Sequence, residues 1–162
     1  CALPIYQLTQ DDDPTLRCVP YGYPRAMTLP SNQQFQIVHL PGQMVVLNEY
    51  FHSFRVIPTD GRDHPDDMFP TYLGDSVGRW DGDTLVVDVT AFNGLSWFDR
   101  AGNFAGENLH VVERYTLTSP YHIEYEATIE DPDTFTRPRK IRFPLYRRME
   151  ANIELLDMKM DI

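Results

Sequence analysis

SVGRWDGDTLVVDVT, residues 76–90, is the stretch that decides the fold. Asp81-Gly82 stands between two runs with apolar residues at alternating positions, and this arrangement is a strong signal for a β-hairpin. Side chains on successive residues of a strand point to opposite faces of the sheet. One face of the second run is therefore apolar, with Leu85, Val87 and Val89. The stretch predicts an antiparallel hairpin that buries one face.

Further runs of the same kind lie on both sides of this hairpin: Phe35–Leu40, Gln43–Glu49, Phe51–Ile57, His110–Thr118, His122–Glu130, Lys140–Arg147 and a short Asn152–Leu156. Tight turns separate most of them, and no stretch has a clean helical period. The pattern predicts an all-β protein, an antiparallel meander of about eight or nine strands. We expect a lipocalin-like barrel or a strongly curved sheet, with a sandwich as the open alternative.

The N-terminal part of the chain differs in composition from the rest. Residues 1–34 are polar and contain five prolines: Pro4, Pro14, Pro20, Pro24 and Pro30. Proline interrupts helices and favours extended backbone in the residue before it. We predict an extended strap over residues 1–34 and a single β domain over residues 35–162.

The charge and hydropathy of the chain exclude some classes of function. The net charge is −10 over 162 residues, which disfavours a nucleic-acid binder because such proteins need clustered cations. The longest apolar run is Met44–Leu47, far short of a membrane span. Six basic residues do gather near the C-terminus: Arg137, Arg139, Lys140, Arg142, Arg147 and Arg148. They would either dock an anionic partner or, the favoured reading, pair with Glu124, Glu126 and Glu130 across neighbouring strands.

Two predicted strands carry a carboxylate on an otherwise apolar face. Glu113 follows Val111 on one face, and Glu49 follows Val45 and Leu47 on another. A buried carboxylate must be paired or hydrogen-bonded, and the partner we expect for Glu113 is Arg55 or His52. The simpler interpretation is an ion pair that sets the strand register. The functional one is an acid–base site made of Tyr50, His52, Arg55 and Glu113.

The two long loops contain the other candidate residues. Trp97 and Asp99 are candidate ligand contacts in the second loop. The first loop contains five acidic or histidine residues without the regular spacing of a calcium loop: Asp60, Asp63, His64, Asp66 and Asp67. Turn-forming, solvated aspartates explain these better. We predict neither a metal site nor a cofactor, and the chain has no serine hydrolase, zinc protease or nucleotide-binding motif.

The chain contains two cysteines, Cys1 and Cys18. Cys1 could be the lipid-modified first residue of a bacterial lipoprotein, or the start of a processed product or fragment. Alternatively, Cys1 and Cys18 could form a disulfide that closes a short loop, worth about 3 kcal/mol.

Several motifs resemble a family of uncharacterised bacterial exported proteins rich in β-structure. The most specific is GRWDGDTLVV at residues 78–87, and the others are FQIV at 35–38, EYFH at 49–52, IPTDGR at 57–62 and LHVVER at 109–114. The resemblance covers residues 18–156 and implies export to the periplasm, the medium or the cell surface. It implies no reaction. Relatives in this family often have a cysteine near the position of Met160, so any partner of Cys18 here would be Cys1.

Three hypotheses of function follow. The first is a non-catalytic extracytoplasmic binding or accessory domain that holds a small apolar ligand or docks in a larger assembly. The second is a small cofactor-free lyase, isomerase or cyclase that uses the His, Glu and Tyr side chains above. The third is an assembly element whose N-terminal strap adds to the sheet edge of a neighbour.

Overall fold

A computed structural model of the protein describes residues 7–28, 34–99 and 101–155. These residues contain eight strands: β1 (Phe35–Leu40), β2 (Gln43–Asn48), β3 (Phe54–Pro58), β4 (Asp75–Asp81), β5 (Thr84–Thr90), β6 (His110–Ser119), β7 (His122–Glu130) and β8 (Arg139–Tyr146). One turn of α-helix, α1, covers Arg25–Thr28, and 3-10 turns cover Gln10–Asp12, Pro14–Arg17 and Tyr50–His52. No helix in this part of the chain is long and apolar enough to cross a membrane.

The strands form two antiparallel sheets. Strands β1-β2-β3 make a three-stranded sheet and β4-β5-β6-β7-β8 a five-stranded sheet, and within each sheet the strands pair in the order of the sequence. The predicted all-β class and meander order are confirmed. The sheets do not close into a barrel within the described residues, because β1 pairs only with β2 and β8 only with β7. The lipocalin-like barrel is therefore not what these residues build.

The hairpin at residues 76–90 forms as the sequence predicts. Asp81 pairs with Thr84, so Gly82 and Asp83 are the two loop residues. Gly82 adopts a φ of 59°, a backbone conformation that glycine accepts without steric cost. Leu85, Val87 and Val89 are buried as expected.

The prediction for the third strand is wrong at its start. Strand β3 begins at Phe54, because Phe51 and His52 have φ values of 59° and 46° and belong to a 3-10 turn. In β3, Arg55 and Ile57 point inward and are buried. Residues 152–155 form a turn and irregular chain rather than the short strand expected at Asn152–Leu156, and Leu156 lies outside the described residues.

The face of β2 is the reverse of the one expected. Met44 and Val46 are buried, and they pair with the inward-facing Ile57 and Arg55 of β3. Val45 and Leu47, the residues we expected inside with Glu49, point outward. The run of four apolar residues in β2 gives no alternation, so the register with β3 decides which residues face the core.

The core lies between the two sheets. One apolar cluster includes residues of both sheets and of the N-terminal segment, among them Tyr23 and Met27. The sheets come close where β3 meets β4, since a Cβ at Gly78 would lie 2.8 Å from Cγ2 of Ile57. A larger residue than glycine would force β3 and β4 apart at this corner.

Residues 7–28 of the N-terminal segment contain short helical turns and contribute Tyr23 and Met27 to this core, whereas the sequence predicts an extended strap. Tyr23, Arg25 and Met27 are buried. The Arg25 guanidinium forms a salt bridge with Asp13, with 2.5 Å between Nη2 and Oδ2, and its Cζ lies 4.6 Å from the centre of the Tyr21 ring. Burial alone would raise the pKa of Asp13, but hydrogen bonds from Arg25 and Thr15 bring the pKa below its usual value. This part of the segment packs on its own chain and is not available to a neighbour.

Candidate functional site

The structure pairs Arg55 with Glu113 in the centre of the molecule. Arg55 lies on β3 of one sheet and Glu113 on β6 of the other. Their closest atoms, Nη2 and Oε2, are 2.5 Å apart, and the two side chains are 3% and 0% exposed. The sequence suggested Arg55 or His52 as partner of Glu113, and Arg55 is the one that contacts it. The ion pair joins the two sheets.

Neighbouring side chains bond the remaining atoms of this pair. The hydroxyl groups of Tyr115 and Tyr125 donate to Glu113 Oε1 at 3.0 and 2.7 Å. Arg55 Nε donates to Ser76 Oγ at 2.9 Å, and Arg55 Cζ lies 4.0 Å from the centre of the Tyr23 ring, which is within cation–π range. Arg55 Nη1 is the one buried nitrogen of this group without a hydrogen-bond partner in the described residues.

Burial and the Glu113 carboxylate both shift the pKa values of their neighbours in this cluster. Burial would lower the pKa of Arg55, but the charge of Glu113, the neighbouring Tyr23 and Tyr115 and the hydrogen bond to Glu113 together raise the pKa above its usual value. Burial raises the pKa of Tyr115 and Tyr125 well above the usual tyrosine value, and the negative charge of Glu113 raises both further. Both tyrosines therefore keep their protons at neutral pH and donate hydrogen bonds to Glu113.

This arrangement is suited to holding the sheets together rather than to catalysis. Both oxygens of Glu113 accept hydrogen bonds from buried groups, and the side chain has no exposed surface. A general acid or base must come within hydrogen-bond reach of a substrate, and neither Glu113 nor Arg55 lines the cavity that contains Trp97 or the one that contains Tyr50. The cluster is a buried polar network between two sheets.

Tyr50 and His52 lie outside this cluster. Both belong to the 3-10 turn between β2 and β3. Tyr50 stacks on Tyr21 with 5.4 Å between ring centres and meets Phe51 edge to face at 4.6 Å. His52 is exposed at the surface. The four residues of the predicted acid–base site thus form two separate groups, the buried pair and the surface turn.

Trp97 and Asp99 have different roles in the second loop. Trp97 lines a small cavity with Tyr23, Arg25 and Phe98, and pairs with Phe104 in an isolated β-bridge. Asp99 does not line the cavity. Its carboxylate accepts hydrogen bonds from the backbone N–H groups of Ala101 and Asn103, at 2.9 and 3.1 Å, and so closes the turn of its own loop.

No family model, curated protein or solved structure matches this chain. The cavity beside Trp97 has a volume of about 20 Å³, which is room for roughly one water molecule. A second cavity, beside Tyr50, has about 10 Å³. Sites for small ligands usually have at least about 300 Å³.

A chain of histidines and aspartates on the five-stranded sheet escaped the sequence analysis. His64, in the loop before β4, contacts Asp75 through Nδ1 at 2.6 Å and Asp88 through Nε2 at 3.0 Å. His110 Nε2 lies 3.0 Å from the other oxygen of Asp88. In residues 7–28, 34–99 and 101–155 no three His, Cys, Asp or Glu side chains are placed to hold a metal ion. The contacts of His64 tie the loop before β4 to β4 and β5.

The basic residues near the C-terminus in part follow the favoured interpretation. Lys140 Nζ lies 3.0 Å from Glu126, and Arg142 Nε lies 2.5 Å from Glu124. These pairs link β7 and β8 on their outer face. Cys18 is exposed, and because Cys1 lies outside the described residues, so does the predicted disulfide between them.

The outer face of the three-stranded sheet is the largest feature that the sequence analysis missed. Alternation and strand register place nine side chains on it, and we call this set the apolar face: Gln36, Val38, Leu40, Gln43, Val45, Leu47, Phe54, Val56 and Pro58. Seven are apolar, two are glutamines and none is charged. Phe54 and Val56 are 63% and 41% exposed. An alternating pattern in β2 would have revealed this face, but β2 has none.

Proposed function

We propose that this protein is a non-catalytic, extracytoplasmic binding or accessory domain that docks onto a partner protein through the apolar face. The observation that supports the proposal is the absence of charge from nine neighbouring positions in a chain with a net charge of −10. Large apolar residues that stay exposed together on one face are typical of interaction surfaces. The extracytoplasmic setting is supported by the resemblance of residues 78–87 to exported proteins.

The other sheet provides the contrast. The outer face of β4–β8 carries Arg79, Arg114, Glu126 and Arg142 in one cross-strand row. Such a face is suited to water. The apolar face buries no charge when a partner covers it, so docking has no cost of desolvating ions. The partner surface that fits is therefore itself uncharged and apolar.

A protein partner suits the structure better than a small apolar molecule. The cavities beside Trp97 and Tyr50 each hold about one water molecule by volume. A lipocalin-like ligand site between the sheets would need a cavity many times larger. The apolar face, by contrast, already exposes Leu40, Phe54 and Val56.

Site-specific photo-crosslinking in the native cell tests the proposal. A photoreactive phenylalanine analogue replaces Phe54 on the apolar face, and a matched control places it at Arg142 on the charged face. We expect a discrete adduct with one protein at position 54 only. That protein, once purified, should bind the wild-type chain and lose binding to Phe54→Asp. Equal adducts at both positions, or none at position 54, would overturn the proposal. Saturable one-to-one binding of a fluorescent fatty acid between the sheets would favour the lipocalin-like alternative instead.

A further inference from the structure

We propose that a second copy of this chain adds its own β1 antiparallel to β1, so that the two three-stranded sheets become one six-stranded sheet. This inference rests on the proposed docking role of the three-stranded sheet and adds a partner for its edge, which leaves the apolar face itself uncovered. It is supported by the edge of β1, by the direction of its backbone groups and by its register.

Within the described residues, β1 and β8 are the edge strands that do not lie against the other sheet, and these two edges are protected to different degrees. Natural sheets block edge-to-edge pairing with proline, lysine, bulges or inward charges. Strand β8 carries such residues, with Pro144 inside the strand and Arg139, Lys140 and Arg142 along it. Strand β1, with sequence FQIVHL, has no proline, glycine, acidic residue, lysine or arginine, and pairs with β2 over its whole length without a bulge. Among the residues that the structure describes, only β2 pairs with β1, and no residue of β1 itself blocks its other edge.

The backbone groups of alternate β1 residues point away from β2. Glu49 N donates to Gln34 O at 3.0 Å, so the pair before β1 is a hydrogen-bonded one. Hydrogen-bonded and non-hydrogen-bonded pairs alternate in an antiparallel ladder. The next hydrogen-bonded positions are therefore Gln36, Val38 and Leu40. The N–H and C=O groups that face the open edge belong to Phe35, Ile37 and His39.

These three residues define one best register for a two-fold pair. When the axis passes through Ile37, Ile37 lies opposite Ile37 of the other copy, and Phe35 lies opposite its His39. Each of these pairs can exchange two N–H···O bonds, and no edge-facing group of β1 is left unpaired. A register shifted to Val38 would leave Phe35 unpaired. The Ile37 register also keeps every side chain on its own face of the sheet.

The charge distribution favours this contact over others between two copies. Two chains with a net charge of −10 repel each other, and repulsion is weakest where the contact has no acidic residue. In the Ile37 register the outer-face neighbours are Gln36 and Val38, and the inner-face neighbours are Phe35, Ile37 and His39. Phe35 and Ile37 are only partly buried in the single chain, so pairing covers apolar surface as well. The joined sheet presents two apolar faces side by side.

Disulfide trapping tests the register. In a chain with Cys1→Ser and Cys18→Ser, Ile37→Cys should form an intermolecular disulfide under mild oxidation. Its two Cα atoms would lie about 5.5 Å apart in a hydrogen-bonded pair, within the span of a disulfide. Gln36→Cys is the matched control, since its two copies would be offset by two residues along the strands. Equal trapping of both variants, or trapping through Val38→Cys in place of Ile37→Cys, would overturn the proposed pairing.

Sedimentation velocity over a concentration series tests the dimer itself. We expect wild type and His39→Ala to associate and His39→Pro to remain a monomer, because proline removes an edge-facing N–H while leaving the bonds to β2 intact. Equal melting temperatures of the two His39 variants would show that folding is unaffected. A wild-type monomer at every concentration overturns the inference. If the crosslink at position 54 still finds a different protein, the proposed function stands; if that also fails, both are wrong.

Discussion

Arg55 Nη2 and Glu113 Oε2 lie 2.5 Å apart between the two sheets, in a pair with almost no exposed surface. Removing one member of a buried ion pair leaves the other charge buried without its partner, at a cost of about 3–5 kcal/mol. We therefore expect Glu113→Ala to lower the free energy of unfolding by about that amount, as measured by urea denaturation. The double variant Arg55→Met, Glu113→Leu should recover most of the loss.

The surface pair Lys140–Glu126 is the control for this experiment. Lys140 is largely exposed, and exposed ion pairs contribute at most about 1 kcal/mol. Lys140→Ala should therefore leave the unfolding midpoint almost unchanged. A loss as large as that of Glu113→Ala would mean that the buried pair has no special role.

Tyr115 and Tyr125 predict a loss of stability at high pH. Their pKa values are raised well above 10.0 in the folded protein, first by burial and then by Glu113. Above pH 10 the unfolded chain therefore releases protons that the folded chain keeps. The unfolded state is stabilised relative to the folded state as the pH rises. Each of the two tyrosines should lower the free energy of unfolding by about 1.4 kcal/mol per pH unit there.

Absorbance of the tyrosinate ion measures this effect. Two of the nine tyrosines in the sequence should ionise only together with unfolding. The Tyr115→Phe, Tyr125→Phe double variant should lose this late step. If all nine tyrosines of the wild type ionise while the circular dichroism stays native, the buried network is not as described.

Substitutions of two residues on opposite faces of β3 show which face of the three-stranded sheet is covered. Phe54 is 63% exposed and Ile57 is 1% exposed. Phe54→Ser should change the free energy of unfolding by no more than about 0.5 kcal/mol, whereas Ile57→Ala should cost about 2–5 kcal/mol. Thermal and urea denaturation of both variants measure these losses. A larger loss for Phe54→Ser than for Ile57→Ala would place the apolar face inside the molecule.

His64 should control access to the loop before β4. Its ring contacts Asp75 and Asp88 on two strands, and Arg62 in the same loop is exposed. His64→Ala removes these contacts, so the loop should open more often and expose the peptide bond after Arg62. We therefore expect trypsin to cut after Arg62 several times faster in His64→Ala than in wild type. Asp67→Ala, an exposed position in the same loop, is the control and should leave the rate unchanged.

The sequence predicted the features that depend on short-range patterns. The hairpin at Gly82, the meander order and the inward-facing residues of β6, including Glu113, follow from alternation and turn residues. The reversed face of β2 could not be predicted, since four consecutive apolar residues fit either face. The start of β3 at Phe54 was missed because Phe51 and His52 have the composition of a strand but a left-handed backbone.

Only part of the buried cluster around Glu113 could be predicted from the sequence. A carboxylate among apolar residues indicates an internal partner, and Arg55 was one of two named. Which residue reaches Glu113 depends on how the two sheets pack, and this is not encoded in the spacing of either strand. Tyr115 and Tyr125, which donate to Glu113, fit the apolar pattern of their strands and gave no signal of their polar role. Tyr23 lies in the N-terminal segment, where no pattern indicated its contact with Arg55.

Pro144 in β8 has a consequence for how far self-association can extend. If strand pairing occurs through β1, this is the one sheet edge among the described residues through which each chain can pair. Strand β8 is blocked, and β3 lies against β4 at Gly78. An interface with one two-fold axis and no second open edge closes on itself. Growth should therefore terminate at two chains, and the protein should not polymerise into fibrils through its sheets even at high concentration.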